Sequence, residues 1–359
     1  MSFLSLLFTL LIEQFRPLSP RFAAHRWFVR YVNTLSSHFN AGEQGQGMIA
    51  WWLAVLPWAL IALGGYYFLS SINLGLGWLW NVAVLYLTLG FRQFSHAFTE
   101  ITEALRAGDI DKARQLLSEW RNEPAAEYTG TEISKVAIEE GLIGSHRHVF
   151  GVIFWFLVLP GPTGAILYRM AAILDEKWGS RPREEYGAFG RYARRTFHYM
   201  DWIPVRLTAL SFAVAGDFED AVYCWRSQST AWPEPENGIV LASGAGAIGV
   251  RLGETLHHHG TVSFRPELGL GDEADVNNMT SAVGMIWRAL VIWMFILGLV
   301  TLACFLVIAA GVWRELVARQ RSRAVEQDDH AFVIDGLGLT MADGGERVSK
   351  PEPRDGKKK

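Results

Sequence analysis

The chain has 359 residues, half of them hydrophobic, with a mean hydropathy of +0.14 and a formal net charge of −3. Charged residues make up 19% of the sequence, below the roughly 25% of a soluble domain. This composition excludes an ordinary soluble domain. No segment resembles a nucleic-acid-binding module, so no nucleic-acid partner is expected.

The first fifteen residues, MSFLSLLFTLLIEQF, form an apolar run that Glu13 closes. The run lacks the basic start and the small-residue cleavage site of a signal peptide, and it is too short to span a bilayer comfortably. It predicts an interfacial helix, followed by arginines that meet anionic lipid headgroups. These are Arg16, Arg21, Arg26 and Arg30.

Four longer runs carry no charge: residues 48–72, 74–91, 149–168 and 289–313. Each is close to the ~20 residues that a helix needs to cross a bilayer. A soluble protein of this size would have to bury four such helices on every face. The runs therefore predict a polytopic membrane protein in contact with membrane lipid.

A polar stretch follows the first two runs and predicts amphipathic helices. FTEITEALRAGDIDKARQLLSEW reads as two helices broken at Gly108, with Asp109 as the N-cap of the second. TGTEISKVAIEEGLIGSHRH then begins a third helix that leads into the membrane.

The third hydrophobic run is interrupted by LPGPTGA at residues 159–165. Irregular backbone at membrane depth is tolerated only beside protein or a water-filled cavity. A helix that restarts there offers free N–H groups, which suit an anion. A simple proline kink is the alternative, and this segment alone leaves both open.

Three adjacent histidines, His257 to His259, cannot all face one ion from regular structure, and no carboxylate or cysteine lies at ligand spacing. We therefore predict a polar loop there and no metal site. LASGAGAIGVRLG, residues 241–253, predicts a small-residue helix that packs backbone to backbone. Basic residues flank the last hydrophobic run on both sides, and its orientation stays open.

The predicted fold class is all-α, a polytopic integral membrane protein with four to five hydrophobic helices, one of them broken, plus helical cytoplasmic segments. Seven segments follow: an interfacial N-terminal segment (1–47), the first two membrane helices (48–91), a polar helical region (92–148), a broken membrane segment (149–174), a polar loop region with the sequence motifs (175–288), the last membrane helix (289–313) and a basic, mostly disordered tail (314–359).

Four motifs in this order, GPTGAILYR, YGAFGRYARR, DWIPVRLTAL and GAIGVRLG, resemble the CobD/CbiB membrane family of cobalamin biosynthesis over roughly residues 1–310. The AmpE-type inner-membrane protein is a relative with the same architecture. The resemblance implies a multi-pass protein of the bacterial inner (cytoplasmic) membrane. The family's cobalamin enzymes join an amino-alcohol or its phosphate to adenosylcobyric acid with ATP, so ATP and Mg²⁺ are implied only if that ligase activity is present.

The sequence departs from the family pattern at several polar positions. The glutamate ahead of the family's EN..DG motif matches Glu139, but the aspartate of that motif falls on Arg147. The aspartate of NTLDS is kept as Asp175. The paired aspartates of DD..N fall on Phe197-His198, and its asparagine falls on Asp201. The kept residues after it are Pro204, Arg206, Leu207 and Thr208.

The loss of these polar residues and the sequence of the motif DWIPVRL favour the AmpE-like branch, which is associated with β-lactamase induction through a cell-wall-recycling signal. The first expectation is therefore a membrane regulator or sensor that binds an anionic small molecule at a cytoplasm-facing site. The alternative is a cobalamin-biosynthesis ligase that resembles adenosylcobinamide-phosphate synthase, because GAIGVRLG stays close to the wording of the cobalamin enzymes.

The motif DWIPVRL places an acid and an arginine around a proline in an apolar run. Pro204 suits the first turn of a helix, and an arginine among apolar neighbours is costly unless it is paired. Arg206 therefore either forms an ion pair with Asp201 or binds an anion. The full set of ligand-binding candidates is Arg206, Asp201, Asp175, Glu139, Arg169, Thr208 and Tyr168.

Overall fold

The fold is built almost entirely of helices. It is known from a computed structural model that describes residues 2–15, 23–40, 42–121, 123–180, 186, 188–258 and 261–336. The chain divides into two compact units, residues 1–297 and 298–359. The first unit holds the core and every site described below.

Thirteen α-helices are present in the described residues, and two short π-helices extend two of them. The α-helices are α1 Ser2–Phe15, α2 Ala23–Phe39, α3 Gln44–Ile72, α4 Leu74–Thr88, α5 Phe91–Arg106, α6 Ile110–Arg121, α7 Gly130–Ser145, α8 Gly151–Val158, α9 Thr163–Leu174, α10 Gly190–Ala215, α11 Phe218–Gln228, α12 Pro235–Ile248 and α13 Val276–Gly336. The π-helices are His146–Phe150, between α7 and α8, and Asp175–Gly179, after α9.

Among the described residues, three stretches are long and apolar enough to cross a membrane: Gln44–Ile72, Gly130–Val158 and Val276–Gln320. Two shorter apolar helices, α1 and α4, accompany them. The prediction of an all-α membrane protein is therefore confirmed. The second hydrophobic run is only a 15-residue helix, which packs beside α1, where Phe8 and Trp78 meet edge to face.

The stretch Gly130–Val158 begins earlier than the third uncharged run, residues 149–168, suggests. It starts at Gly130, where Thr129 and Glu132 form a capping box. Its first half carries charges that are buried against protein. Lys135 pairs with Glu254, and Glu139 pairs with Arg265. Charge balance inside the protein lets the helix extend beyond the uncharged run, which hydropathy alone does not reveal.

The chain breaks and reverses at residues 159–162. α8 ends at Val158, Gly161 adopts a φ of 61°, and α9 begins at Thr163. A Cβ on Gly164 would overlap the carbonyl of Trp155, so α8 and α9 touch backbone to backbone. A simple proline kink within one helix is thereby excluded. By contrast, Pro57 and Pro204 lie inside continuous helices.

Residues 175–288, expected to be a polar loop region, contain α10, α11, α12 and the start of α13 among their described residues. In α10, buried side chains recur at Phe197, Asp201, Val205 and Thr208, which gives one inward face at helical spacing. α12 is the predicted small-residue helix, and Gly246 lies so close to α11 that a Cβ there would be 2.5 Å from the Asp220 carbonyl oxygen. Close packing of small side chains therefore buries most of α12, although it lies in the region expected to be a polar loop.

Two pairs of short strands order the segment after α12, and Glu139 connects this segment to α7. β1 Val250–Arg251 pairs in parallel with β4 Asp272–Glu273, and β2 Leu256–His258 pairs antiparallel with β3 Thr261–Ser263. The Glu139 carboxylate accepts from Gly253 N at 2.8 Å and from the guanidinium of Arg265 at 2.6 and 3.1 Å. We call these three residues the clasp.

The last helix continues past its hydrophobic run. α13 extends to Gly336, so the segment predicted to be a mostly disordered tail from residue 314 is helical up to that residue. Residues 337–359, the remainder of that prediction, lie outside the described residues. The N-terminal arginines Arg16 and Arg21 also lie outside them.

Candidate functional site

A cavity of about 370 Å³ opens where α10, α12 and the two π-helices meet. Its walls carry charges of both signs. The charged and titratable residues lining it are Arg147, Arg191, Arg194, Arg195, Asp175, Glu234, Glu236 and His198. With four arginines against three carboxylates, the cavity favours an anion.

The two π-helices place one charged residue each at the cavity. Arg147 belongs to the first and Asp175 to the second. π-helical turns are rare and occur frequently at functional sites. The start of α10 lies against the second turn, because a Cβ on Gly190 would overlap the carbonyl of Trp178. This close approach brings the arginines of α10 to the cavity.

Arg147 is held by long contacts only. Its Nη2 is 3.7 Å from Asp175 Oδ2 and 3.4 Å from Asn237 Oδ1, and its guanidinium lies over the Phe197 ring at 5.4 Å. Its Nε is buried and has no hydrogen-bond partner in the part of the chain that the structure describes. Arg147 therefore retains unused hydrogen-bonding capacity at the cavity.

Asp175 is buried, and burial raises its pKa to about 6 even though Arg147 and Arg194 act to lower it. The other two carboxylates have donors of their own. Glu234 Oε2 accepts from Asn237 Nδ2 at 3.0 Å, and Glu236 is bonded to His198 Nδ1. The acidic wall of the cavity is therefore already hydrogen-bonded.

A buried network of four side chains lies beneath the cavity. Asp201 accepts from His146 Nε2 at 2.9 Å and from the Tyr168 hydroxyl at 2.8 Å. His146 Nδ1 lies 2.9 Å from the Thr208 hydroxyl, which in turn is 3.0 Å from the Pro204 carbonyl. All four side chains are at most 2% exposed. Because His146 directly precedes Arg147, the network fixes the π-helical turn that presents Arg147.

The structure distributes the seven predicted site residues over four places. Asp175 lines the cavity. Asp201, Tyr168 and Thr208 belong to the buried network, and Glu139 belongs to the clasp. Arg206 and Arg169 lie elsewhere and are both half-buried: Arg206 is on the outer side of α10, and Arg169, next to Tyr168, makes no hydrogen bond within the described residues.

The predicted pairing of Asp201 with Arg206 does not occur. Arg206 donates to the Trp202 carbonyl at 2.6 Å and stacks on the Trp202 ring at 4.1 Å, on the exposed side of α10. Pro204 lies inside the helix and does not begin it. Two residues five apart in a continuous helix point about 140° away from each other, so the acid faces the core and the arginine faces outward.

Sequence reasoning missed the arginines of the cavity as site residues. RYARR places Arg191, Arg194 and Arg195 at positions i, i+3 and i+4, which share one helix face, but a helix had not been predicted there. Arg147 and His198 were noted only as departures from the family pattern. The fold brings these departures together with a kept residue, because Arg147, Phe197 and His198 line the same cavity as Asp175.

Comparison with known proteins gives a consistent result. The family model described as "CobD/Cbib protein" matches residues 5–286. The cobalamin biosynthesis protein CobD of Stutzerimonas stutzeri is 34% identical over 274 residues, covering 75% of this chain and 88% of that protein. The protein of that name from Chromobacterium violaceum is 36% identical over 212 residues, 59% of this chain and 67% of that protein. No solved structure matches the chain.

These relatives overturn the expectation of an AmpE-like regulator. Their printed names refer to cobalamin biosynthesis, and the similarity extends over most of the chain. The regulator hypothesis gave too much weight to a few substituted polar positions. The structure shows that three of those positions, Arg147, Phe197 and His198, line one cavity, whose walls remain charged.

Proposed function

The chain belongs to the CobD/CbiB protein family, and on that premise we propose that it is a ligase of cobalamin biosynthesis in the bacterial inner membrane. The reaction joins the amine of an amino-alcohol phosphate to a carboxylate of adenosylcobyric acid. Formation of this amide removes the elements of water and is driven by ATP. The proposal is supported most directly by the relatives named for cobalamin biosynthesis.

The charges of the cavity suit an amino-alcohol phosphate, which carries an ammonium group and a phosphate. Arg191, Arg194 and Arg195 stand on one face of α10 and present guanidinium groups to the phosphate. Glu234 and Glu236 begin α12 and supply negative charge for the ammonium. A ligand with two opposite charges would be oriented by both walls.

Amide formation requires the ammonium to lose a proton before its nitrogen can attack. His198 is the group in the cavity that suits this step. Its Nδ1 is bonded to Glu236, which favours the tautomer that leaves Nε2 free as an acceptor. In this proposal His198 is the general base and Glu236 orients its ring.

The described residues do not fit a magnesium site. Proteins bind Mg²⁺ through one or two carboxylates together with waters and substrate phosphates, whereas each carboxylate of this cavity is already hydrogen-bonded or lies beside an arginine. No group of three or more histidine, cysteine or acidic side chains within the described residues could hold a metal ion. The proposal therefore assigns no step to a protein-bound metal, and Arg147 with the arginines of α10 would bind phosphate groups.

Complementation of a bacterial strain that lacks its corrinoid-condensing ligase tests the proposal. Growth that depends on cobalamin synthesis should be restored by the wild-type chain and by Arg206→Gln, whose side chain lies outside the cavity. His198→Gln and Arg194→Gln should fail to restore it at equal expression. Growth supported by neither wild type nor control would refute the ligase function. Growth with every variant would show that the cavity residues are not needed for the reaction.

A further inference from the structure

We infer that the cavity holds the phosphate group of its ligand through guanidinium groups alone, without a divalent metal ion between protein and phosphate. This deepens the proposed function, on which the choice of an amine phosphate as ligand rests. The inference itself stands on the arrangement of arginines and carboxylates around the cavity.

The positive charge of the cavity comes from two directions. Arg191, Arg194 and Arg195 project from one face at the start of α10. Arg147 approaches from the first π-helix, on a different part of the chain. Guanidinium groups bind phosphate through paired, charge-assisted hydrogen bonds. Arginines from separate elements can therefore contact different oxygens of one phosphate group.

These arginines are not neutralised by close ion pairs. Within the described residues, only Arg147 lies within 4.0 Å of a carboxylate, and its distance to Asp175 is 3.7 Å. Arg195 contacts the Tyr199 hydroxyl at 3.4 Å and its ring at 5.7 Å, both weak interactions. The donors that a phosphate requires are present before it binds.

The carboxylates of the cavity are arranged unlike a metal site. Glu236 is bonded to His198, and Glu234 accepts from Asn237 at 3.0 Å. Asp175 lies beside Arg147, whose charge would repel a divalent cation. A metal ion would have to break these contacts and tolerate the guanidinium groups. Direct binding of phosphate needs neither change.

The test is a binding titration of the full-length protein in lipid nanodiscs with O-phosphoethanolamine, the simplest amine phosphate. The dissociation constant should be the same in excess EDTA and in excess Mg²⁺. Arg147→Gln and Arg194→Gln should each weaken binding by about tenfold or more, the loss expected when a charge-assisted hydrogen bond is removed. Arg206→Gln, which removes the same charge outside the cavity, should bind like wild type.

Binding that disappears in EDTA and returns with Mg²⁺ would overturn the inference. So would unchanged affinity in both arginine variants, or no binding by a wild-type protein that unfolds cooperatively on heating. Arg194 is exposed, so Arg194→Gln should fold even if Arg147→Gln does not. Complementation separates the two proposals: growth with metal-dependent binding leaves the ligase intact, whereas metal-free binding without growth leaves only the phosphate site.

Discussion

Replacing Gly151 with alanine tests whether the buried network beneath the cavity is as tightly packed as the structure shows. A Cβ at this position would come within 3.0 Å of three atoms of Tyr168, including its hydroxyl oxygen. Tyr168 is fully buried, and its hydroxyl donates to Asp201 at 2.8 Å. The ring would have to move by about 1 Å to restore ordinary contact, which would lengthen the hydrogen bond beyond about 3.5 Å.

The size of the effect follows from these contacts. Overpacking a dense core costs about 1–3 kcal/mol, and losing a hydrogen bond to a charged acceptor costs about 1.5–3 kcal/mol. Better helix propensity of alanine returns up to about 1 kcal/mol. We therefore expect Gly151→Ala to lower the free energy of unfolding by about 2–5 kcal/mol.

Equilibrium unfolding by SDS in mixed micelles, followed by circular dichroism, measures this difference. Gly64→Ala is the matched control, because nothing lies within 4 Å of its Cβ position, and it should be neutral or slightly stabilising. Tyr168→Phe should be destabilising in the wild type but add little in Gly151→Ala, where its hydrogen bond is already broken. Equal stability of Gly151→Ala and Gly64→Ala would refute the packing argument.

Two further predictions concern the cavity and the clasp. Burial raises the pKa of Asp175 to about 6, so this carboxylate becomes neutral as the pH falls through 6. Sulfate, which keeps its charge over this range, should then bind more tightly, as measured by calorimetry. Asp175→Asn, which has no carboxylate at this position, should bind sulfate more tightly than wild type at pH 7.5. Its sulfate affinity should also change less with pH, and a pH profile equal to that of wild type would contradict this. The raised pKa also means that stability declines as pH rises from about 4 to 6, a slope that Asp175→Asn should lessen. In the clasp, Glu139→Ala leaves Gly253 N unpartnered and removes the carboxylate partner of Arg265, which keeps its hydrogen bond to the Gly253 carbonyl. The change should cost about 3–5 kcal/mol, with faster proteolysis near residue 253. Glu267→Gln should behave like wild type, because the exposed Glu267 carboxylate makes only a long contact, 3.9 Å from its Oε1 to Arg251 Nη1.

The sequence was most informative where hydrophobic runs and caps act locally. Long uncharged runs predicted membrane helices, and Asp109 begins α6 as expected, with its Oδ1 accepting from Lys112 N at 3.0 Å. The prolines and glycines of residues 159–165 predicted a break because they prevent a helix from continuing. Local backbone preferences decide these features, so a single sequence contains enough information.

The candidate site was harder to predict because it depends on tertiary packing. Asp175 lines the cavity, whereas Asp201 and Arg206 were assumed to be neighbours because they are close in sequence. Helix geometry separates them, since Pro204 was tolerated inside α10. The cavity arginines gave a readable signal, spacing on one helix face, but only once residues 190–215 are recognised as a helix. Buried ion pairs such as Lys135 with Glu254 join residues 119 positions apart, beyond the reach of local patterns.

The reversal at residues 159–162 also constrains how the protein is made. α9 has 12 residues, which extend about 18 Å, far less than the ~30 Å hydrocarbon core of a bilayer. It also carries Arg169, so it cannot enter the membrane as an independent segment. We therefore expect α9 to insert together with the helix before it, as a hairpin whose backbones approach closely at Gly164 and Trp155. Such a hairpin can insert only after both helices have left the ribosome, which would make the timing of synthesis part of how this fold is reached.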